Sequence, residues 1–277
     1  MSRLLICYDK DPPSANMRHY LLEKRQWEDI GSDGENTYMS CDGDVLMNIS
    51  VKHIFAEGID GIASKYGVDV TDVVFMSRHS AASGKPTLTV HPIGNFKDAE
   101  FGGNPRTLVK PTPHMMTDAL RRMKVRNDSP EYSVSFEVTH HGPYLDKPTM
   151  FIEIGSEETH WGDMHAADML SDVILGMNGD ERYPVVVGVG GGHYAPRFTE
   201  LVLTQKVDMG HMVPYYQIQN TDDEEVARMI SDACTATDTG LVYVHRNSMK
   251  GAEERRINAI IDSLGFERVT SKDFDSM

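Results

Sequence analysis

Cysteine is scarce. The 277-residue chain carries three, Cys7, Cys41 and Cys234. No two stand at CxxC spacing, which argues against a thiolate zinc knuckle and still more against a disulfide framework. Long apolar runs are missing as well, and nothing approaches the ~18 consecutive apolar residues of a membrane span. The opening stretch has only a short apolar run, Leu4 to Cys7, before charged residues begin. A secretory signal needs a longer one and a small-residue cleavage site. Cations are in deficit: 27 Lys and Arg face 42 Asp and Glu, a formal net charge of -15. That excludes the broad positive surface of a DNA coater but leaves room for a local basic patch. No Ser/Gly linker, low-complexity tract or internal repeat interrupts the chain. These absences lead us to expect a soluble cytoplasmic monomer with no DNA or membrane partner. They also favour one α/β domain over residues 1–277, with an inserted loop region near 92–115.

What is present alternates. Apolar β-rich runs at Leu4–Tyr8, Val45–Val51, Val73–Ser77, Thr87–Val90, Ser133–Thr139, Thr149–Ile154, Val185–Val189 and Leu241–Val244 are separated by helical periodicity. Helices are predicted at Ser14–Trp27, Thr112–Met123, Asp163–Gly176, Thr221–Ala233 with Thr221 as its cap, and Gly251–Leu264. This pattern predicts an α/β sandwich with a largely parallel, mixed sheet.

Polar turns follow six of these strands. They include Ser77-Arg78-His79-Ser80, His91-Pro92, Thr139-His140-His141-Gly142-Pro143, Gly155-Ser156 and Gly190-Gly191-Gly192-His193-Tyr194, with His245-Arg246 last. Ligands of open α/β sheets bind outside the carboxyl ends of the strands, so parallel strands would gather these turns on one rim. The triple glycine matches neither a dinucleotide fingerprint nor a Walker A loop. Its N–H groups could hold an anion, or it could be a tight turn packed on a helix. On an extended chain His140 and His141 point to opposite faces, so only one is expected at a site. Glu137 and Glu153 sit on apolar strands, where a carboxylate needs a cation, a metal or a wet face. No HExxH or GxSxG occurs. Candidate turn serines Ser77, Ser80, Ser83 and Ser156 therefore make a weak triad. The segment Arg121-Arg122-Met123-Lys124-Val125-Arg126 is either a phosphate-binding island or a solvated helix face.

Together these stretches resemble the archaeal and plant type of D-aminoacyl-tRNA deacylase. The resemblance is carried by Gly190-Gly191-Gly192-His193-Tyr194-Ala195-Pro196-Arg197-Phe198-Thr199, by Ser77-Arg78-His79, and by Leu88 to Asn95. Glu137 to Pro143, Phe151 to Ser156 and Gly210-His211-Met212-Val213-Pro214 add to it in order along the whole chain. It implies a fold like peptidyl-tRNA hydrolase and the phosphorylases, hydrolysis of the ester between a D-amino acid and tRNA, and zinc dependence. The resemblance does not assign the ligands; placing this chemistry on the polar turns read above, we expect His193, His141, Glu137 and Arg197 to be catalytic. Gly190, Gly191, Gly192, Arg78 and Tyr194 would bind substrate. Arg121, Arg122, Lys124 and Arg126 would meet tRNA, and His79, His140 and Glu153 would hold the metal. A zinc carboxypeptidase-like amidohydrolase is the main alternative. A non-catalytic tRNA-binding module and a nucleoside phosphorylase stand behind it.

Overall fold

A computed structural model describes residues 2–82 and 84–277, so Ser83 lies outside the described residues. The first half of the chain runs β1 (Ser2–Cys7), α1 (Pro12–Lys24), β2 (Glu28–Ser32), β3 (Thr37–Cys41), β4 (Asp44–Asn48), α2 (Ile59–Tyr66), β5 (Val70–Arg78), β6 (Thr87–His91), β7 (Gly94–Asn95), β8 (Thr107–Leu108) and α3 (Pro113–Arg126). It continues through β9 (Ser133–Phe136), β10 (Thr149–Gly155), α4 (Glu158–Trp161), α5 (Met164–Gly176), β11 (Val185–Val189) and α6 (Pro196–Thr204). The remainder is β12 (Asp208–Val213), α7 (Tyr215–Ile218), α8 (Asp223–Thr237), β13 (Leu241–Val244), α9 (Gly251–Ser263) and β14 (Glu267–Val269).

Two main sheets form. Eight strands make a mixed sheet in the order β2-β3-β4-β1-β5-β10-β6-β9, and four make a parallel sheet in the order β12-β11-β13-β14. The alternation of side chains along each strand separates the cores. Leu5, Val74, Met76 and Ile152 face one side of the large sheet, under α3 and α5, in a cluster that continues to Val186 and Met209 of the small sheet. Leu4, Ile6, Val73, Phe75 and Phe151 face the other side with α2. Val187, Val189 and Val242 pack beneath α8 and α9. The α/β fold with a large, mostly parallel mixed sheet is therefore as expected. The region 92–115 contains the two-stranded β7–β8 sheet.

The strands do not all run one way. β10 pairs parallel with β5 but antiparallel with β6, and β9 follows β6. His91 at the end of β6 thus lies opposite Phe151, inside the span of β10 rather than beyond its end. The expected single rim of parallel strand ends is replaced by a junction between two sheets. At α8 the cap is Asp222, not Thr221: its carboxylate accepts the Glu225 N–H at 2.8 Å.

The expected tRNA face on α3 needs a larger correction. Arg121 is turned inward, 14% exposed, with its Nη1 3.2 Å from Asp208, whose side chain is fully buried. It also donates to the carbonyls of Val202 and Val207. Its guanidinium ties α3 to the small sheet and is spent internally. Arg122 pairs with Asp118 and Arg126 with Asp172, leaving Lys124 exposed. Without Arg121, Asp208 keeps His114 Nδ1 at 2.6 Å, so the loss is that of hydrogen bonds to a charged group, roughly 1.5–3 kcal/mol. Arg121→Met is expected to lose about that much stability in urea denaturation, whereas Lys124→Met should stay within about 0.5 kcal/mol of the parent.

Candidate functional site

The site begins with period-two alternation on β10. Phe151 and Glu153 point to the same face, and both are buried. Phe151 stacks on Phe75 at 4.6 Å and on His91 at 5.1 Å, which makes an apolar floor. Glu153 rises beside it, with its Oε2 3.6 Å from His91 Nε2 and 3.6 Å from His79 Nδ1. His79 is held against β10 by its own N–H, which donates to the Ile154 carbonyl at 3.0 Å. A side chain at Gly155 would come within 2.9 Å of the His79 ring, so this glycine is what lets the imidazole lie there.

Glu137 leaves the end of β9 and is fully buried. The turn after β11 is stitched to either side of it: Val138 N–H donates to the His193 carbonyl, and Ala195 N–H to the Phe136 carbonyl, both at 3.0 Å. His193 Nε2 thereby reaches 2.9 Å from Glu137 Oε2, and His79 Nδ1 comes to 3.1 Å and His140 Nε2 to 3.5 Å. None of these approaches has hydrogen-bond geometry, so both Glu137 oxygens, and His91 Nε2, are buried without a hydrogen-bond partner. Tyr194 completes the wall, its hydroxyl 3.0 Å from His79 Nε2.

Three imidazoles have one nitrogen committed. His91, His140 and His141 place Nδ1 against the backbone carbonyls of Pro92, Val138 and Gly142 at 3.1, 2.7 and 2.6 Å. A donated Nδ1–H leaves the Nε2 lone pair free, the tautomer a metal ligand needs. The expectation that only one of His140 and His141 serves is overturned. His141 has φ 44° rather than an extended backbone, and the two rings lie 4.3 Å apart. Donor atoms converge in three overlapping groups: His91, His140 and His141; His79, Glu137 and His193; His91, Glu137 and Glu153. The expected trio of His79, His140 and Glu153 is divided among these groups. His91, noted in the sequence as a strand-end histidine but not assigned to the metal, belongs to two of them.

The electrostatics divide the ring: burial opposes a charged His91, but Glu153 and Glu137 outweigh it and raise its pKa. Burial, with the nearby His91 and His141 rings, holds His140 well below the usual histidine range. Burial brings His141 down to about 4. Burial also opposes a charged His79, but the carboxylates of Glu137 and Glu153 outweigh it and raise its pKa to about 11. Burial opposes both carboxylates, yet the adjacent histidines keep Glu153 at about 2 and Glu137 well below the ordinary range. The site is two anions within a ring of imidazoles, a composition suited to a divalent cation.

Above this ring opens a cavity of ≈ 360 Å³. Arg78 lines it, 4.5 Å above the Trp161 ring and 3.5 Å from Asp11. Asp11 and His53, which the sequence did not single out, also line it. The glycine turn is less available than expected. Gly190, at φ 103°, gives its N–H to the Val213 carbonyl at 2.8 Å, so that group is not free for an oxyanion. Arg197 is not brought to the ring: it donates to the Tyr243 hydroxyl at 2.9 Å and lines a different cavity. Ser77 and Ser156 spend their hydroxyls on backbone carbonyls.

A family model described as D-aminoacyl-tRNA deacylase matches residues 66–269. The chain is 35% identical over 284 residues to a D-aminoacyl-tRNA deacylase of Methanococcoides burtonii, covering 100% of this chain and 58% of that relative. It is 33% identical over 274 residues to the one of Archaeoglobus fulgidus, covering 98% and 96%. A crystal structure of a conserved protein of unknown function superposes with a TM-score of 0.87 at 32% identity, covering 99% of this chain and 98% of that one.

Burial lifts the Asp11 carboxyl to about 6, against the Ser14 N–H and the Arg78 charge that favour ionisation. A folded-state pKa above the unfolded one makes this group's contribution full below about pH 4 and lost as pH rises through about 6. Asp11→Asn keeps a capping side chain for α1. It is expected to leave stability little changed at pH 4 and to stabilise the protein at pH 8, as read from urea midpoints across pH.

Proposed function

The chain belongs to the D-aminoacyl-tRNA deacylase family, and from that premise we propose that the His/Glu ring carries the ester hydrolysis, freeing the D-amino acid from tRNA. The observation that bears the proposal is Glu137, fully buried, with no hydrogen-bond partner on either oxygen and imidazoles on several sides. A buried carboxylate in that state is costly unless a cation or a proton donor completes it.

His193 is the ring member nearest solvent, its side chain 35% exposed. With Glu137 behind it at 2.9 Å, it has the arrangement of a base and its orienting carboxylate. In this reading His193, its Nε2 facing Glu137, takes a proton from the attacking water at Nδ1 and later returns one to the ribose oxygen. A positioned acid–base group is worth roughly 10² to 10⁴ in rate. His79, fixed between Glu137 and Glu153 and touching Tyr194, sets the charge of the inner wall. The Arg78–Trp161 pair offers a flat cationic shelf at the mouth, suited to the terminal adenosine. Phe151 and its neighbours keep the floor dry, which strengthens every charge above it. Selection for the D isomer falls to the cavity walls, by steric exclusion of an L side chain.

The donor groups fit a zinc ion. His91, His140 and His141, with Glu137 and Glu153 at their edge, would hold it. When bound it supplies Lewis acidity and brings the pKa of a coordinated water to about 7. The amidohydrolase alternative finds no support among the relatives compared, all of which bear the deacylase name.

Matched D- and L-aminoacyl-tRNA should separate cleanly in single-turnover assays, with hydrolysis of the D ester alone. His193→Ala is expected to lower that rate roughly 10² to 10⁴-fold with the fold intact. His140→Ala should lose tightly held zinc after dialysis, as measured by elemental analysis. Chelation should abolish turnover and added zinc restore it. Equal rates on both isomers, or full activity of His193→Ala, would refute the proposal.

A further inference from the structure

A second cavity, ≈ 630 Å³, opens at the carboxyl ends of β13 and β14. Its walls come from separate elements: Arg197 at the start of α6, Arg246 after β13, and Arg268 and Lys272 at and beyond β14. Asp262 is its one carboxylate, facing those four cations. Glu200 and Glu254 pair with two of these cations from outside the lining, so in a chain of formal charge -15 the concavity keeps an excess of one positive charge, four cations against three anions. The cations are also oriented. Arg268 is gripped by Asp262 at 2.7 and 3.2 Å, and Arg197 by the Tyr243 hydroxyl at 2.9 Å and Glu200 at 2.8 Å. Arg246 rests on Glu254 at 3.2 Å with its side chain 63% exposed. Lys272 is exposed and forms no ion pair among the described residues. Asn247, Asn258, Thr270 and Ser271 add neutral hydrogen-bonding groups.

The glycine turn joins the ring to a segment that lines this cavity. A side chain on Gly191 would come within 3.3 Å of His245 Nδ1, and one on Gly190 within 2.7 Å of Ser248. The glycine turn therefore presses directly on the segment after β13 and, two residues later, supplies His193 to the ring. A strand reaching from the ring to the basic cavity would pass over that turn.

We propose that this cavity binds linked phosphates of the RNA strand just behind the esterified nucleotide. The docking of tRNA then lies across the glycine turn and not on α3, where Arg121 is spent internally. The identity of the RNA rests on the deacylase reading; the preference for linked phosphates rests on the cavity alone.

The test pairs Arg246→Glu/Lys272→Glu with the parent protein. Both substitutions are on exposed side chains, and a milder Arg246→Gln/Lys272→Gln variant guards against misfolding, with melting temperature as control. Anisotropy of a short CCA-ended RNA oligonucleotide is measured first, because it requires no turnover. The charge reversal should weaken binding roughly ten-fold or more and lower the slope of log K against log salt by about 1–2, at ~0.7 per phosphate. In kinetics it should raise KM for D-aminoacyl-tRNA with kcat nearly unchanged. D-aminoacyl-adenosine, which lacks those phosphates, should be cleaved alike by both proteins. Unaltered RNA affinity and salt slope overturn the proposal. So does tight binding of inorganic phosphate with no preference for linked phosphates, which marks a small-anion site. If the parent binds the oligonucleotide through these cations yet hydrolyses no D ester, this inference stands and the deacylase reading fails.

Discussion

The structure is organised around a carboxylate that cannot stand alone. Glu137 is fully removed from solvent, between Phe136 and Val138, which are also fully buried. An ionised carboxylate in such surroundings carries a penalty of several kcal/mol even after relaxation. The chain answers by bringing imidazoles from four separate segments: His79 after β5, His91 at the end of β6, His140 and His141 beyond β9, and His193 after β11. The second carboxylate, Glu153, doubles the problem and the same histidines meet it. The strand directions, the turn after β11 and the positive φ of His141 all serve that convergence.

The ring draws on both sheets. The large sheet contributes Glu153, His79 and His91, and His140 follows its strand β9. The small sheet adds His193 by sending the turn after β11 back over β9, fastened through Val138 and Ala195. Farther along, Thr139 exchanges backbone and side-chain hydrogen bonds with Met212 and His211 of β12. The geometry of the ring is a property of the seam, and a shift of one sheet against the other would move the turn that carries His193.

Much of this was legible in the residue pattern. β11 and β13 fall where uninterrupted runs of apolar residues predict them, and α5 and α9 where helical stripes do. Glu137 and Glu153 stood out because charge is conspicuous in apolar strands. β12 escaped notice because Asp208, Gly210 and His211 break its apolar pattern, although all six of its residues are buried. Their partners, Arg121 for Asp208 and Val109 and Thr139 for His211, lie far away in sequence. Strand direction was hidden for the same reason: β6 and β10 are antiparallel through contacts that no local pattern encodes. The pairing of His140 with His141 was misjudged because opposite facing holds only for extended backbone.

Arg121 and Arg197 show that a cation's place in the sequence does not reveal the work it does. Four cations in six residues on α3 suggested a phosphate-binding face, yet one is turned inward and two are paired on the surface. The four around the second cavity are dispersed from residue 197 to residue 272 and make no cluster in the sequence. They become a patch only when parallel strands end side by side. Screening in physiological salt limits an exposed charge to about 8 Å. The acidic surplus elsewhere on the surface therefore scarcely weakens cations that sit together in one concavity. Net charge and local charge are thus set by different residues: the acids outnumber the bases along the chain, while the four cations of the cavity come together only through the fold.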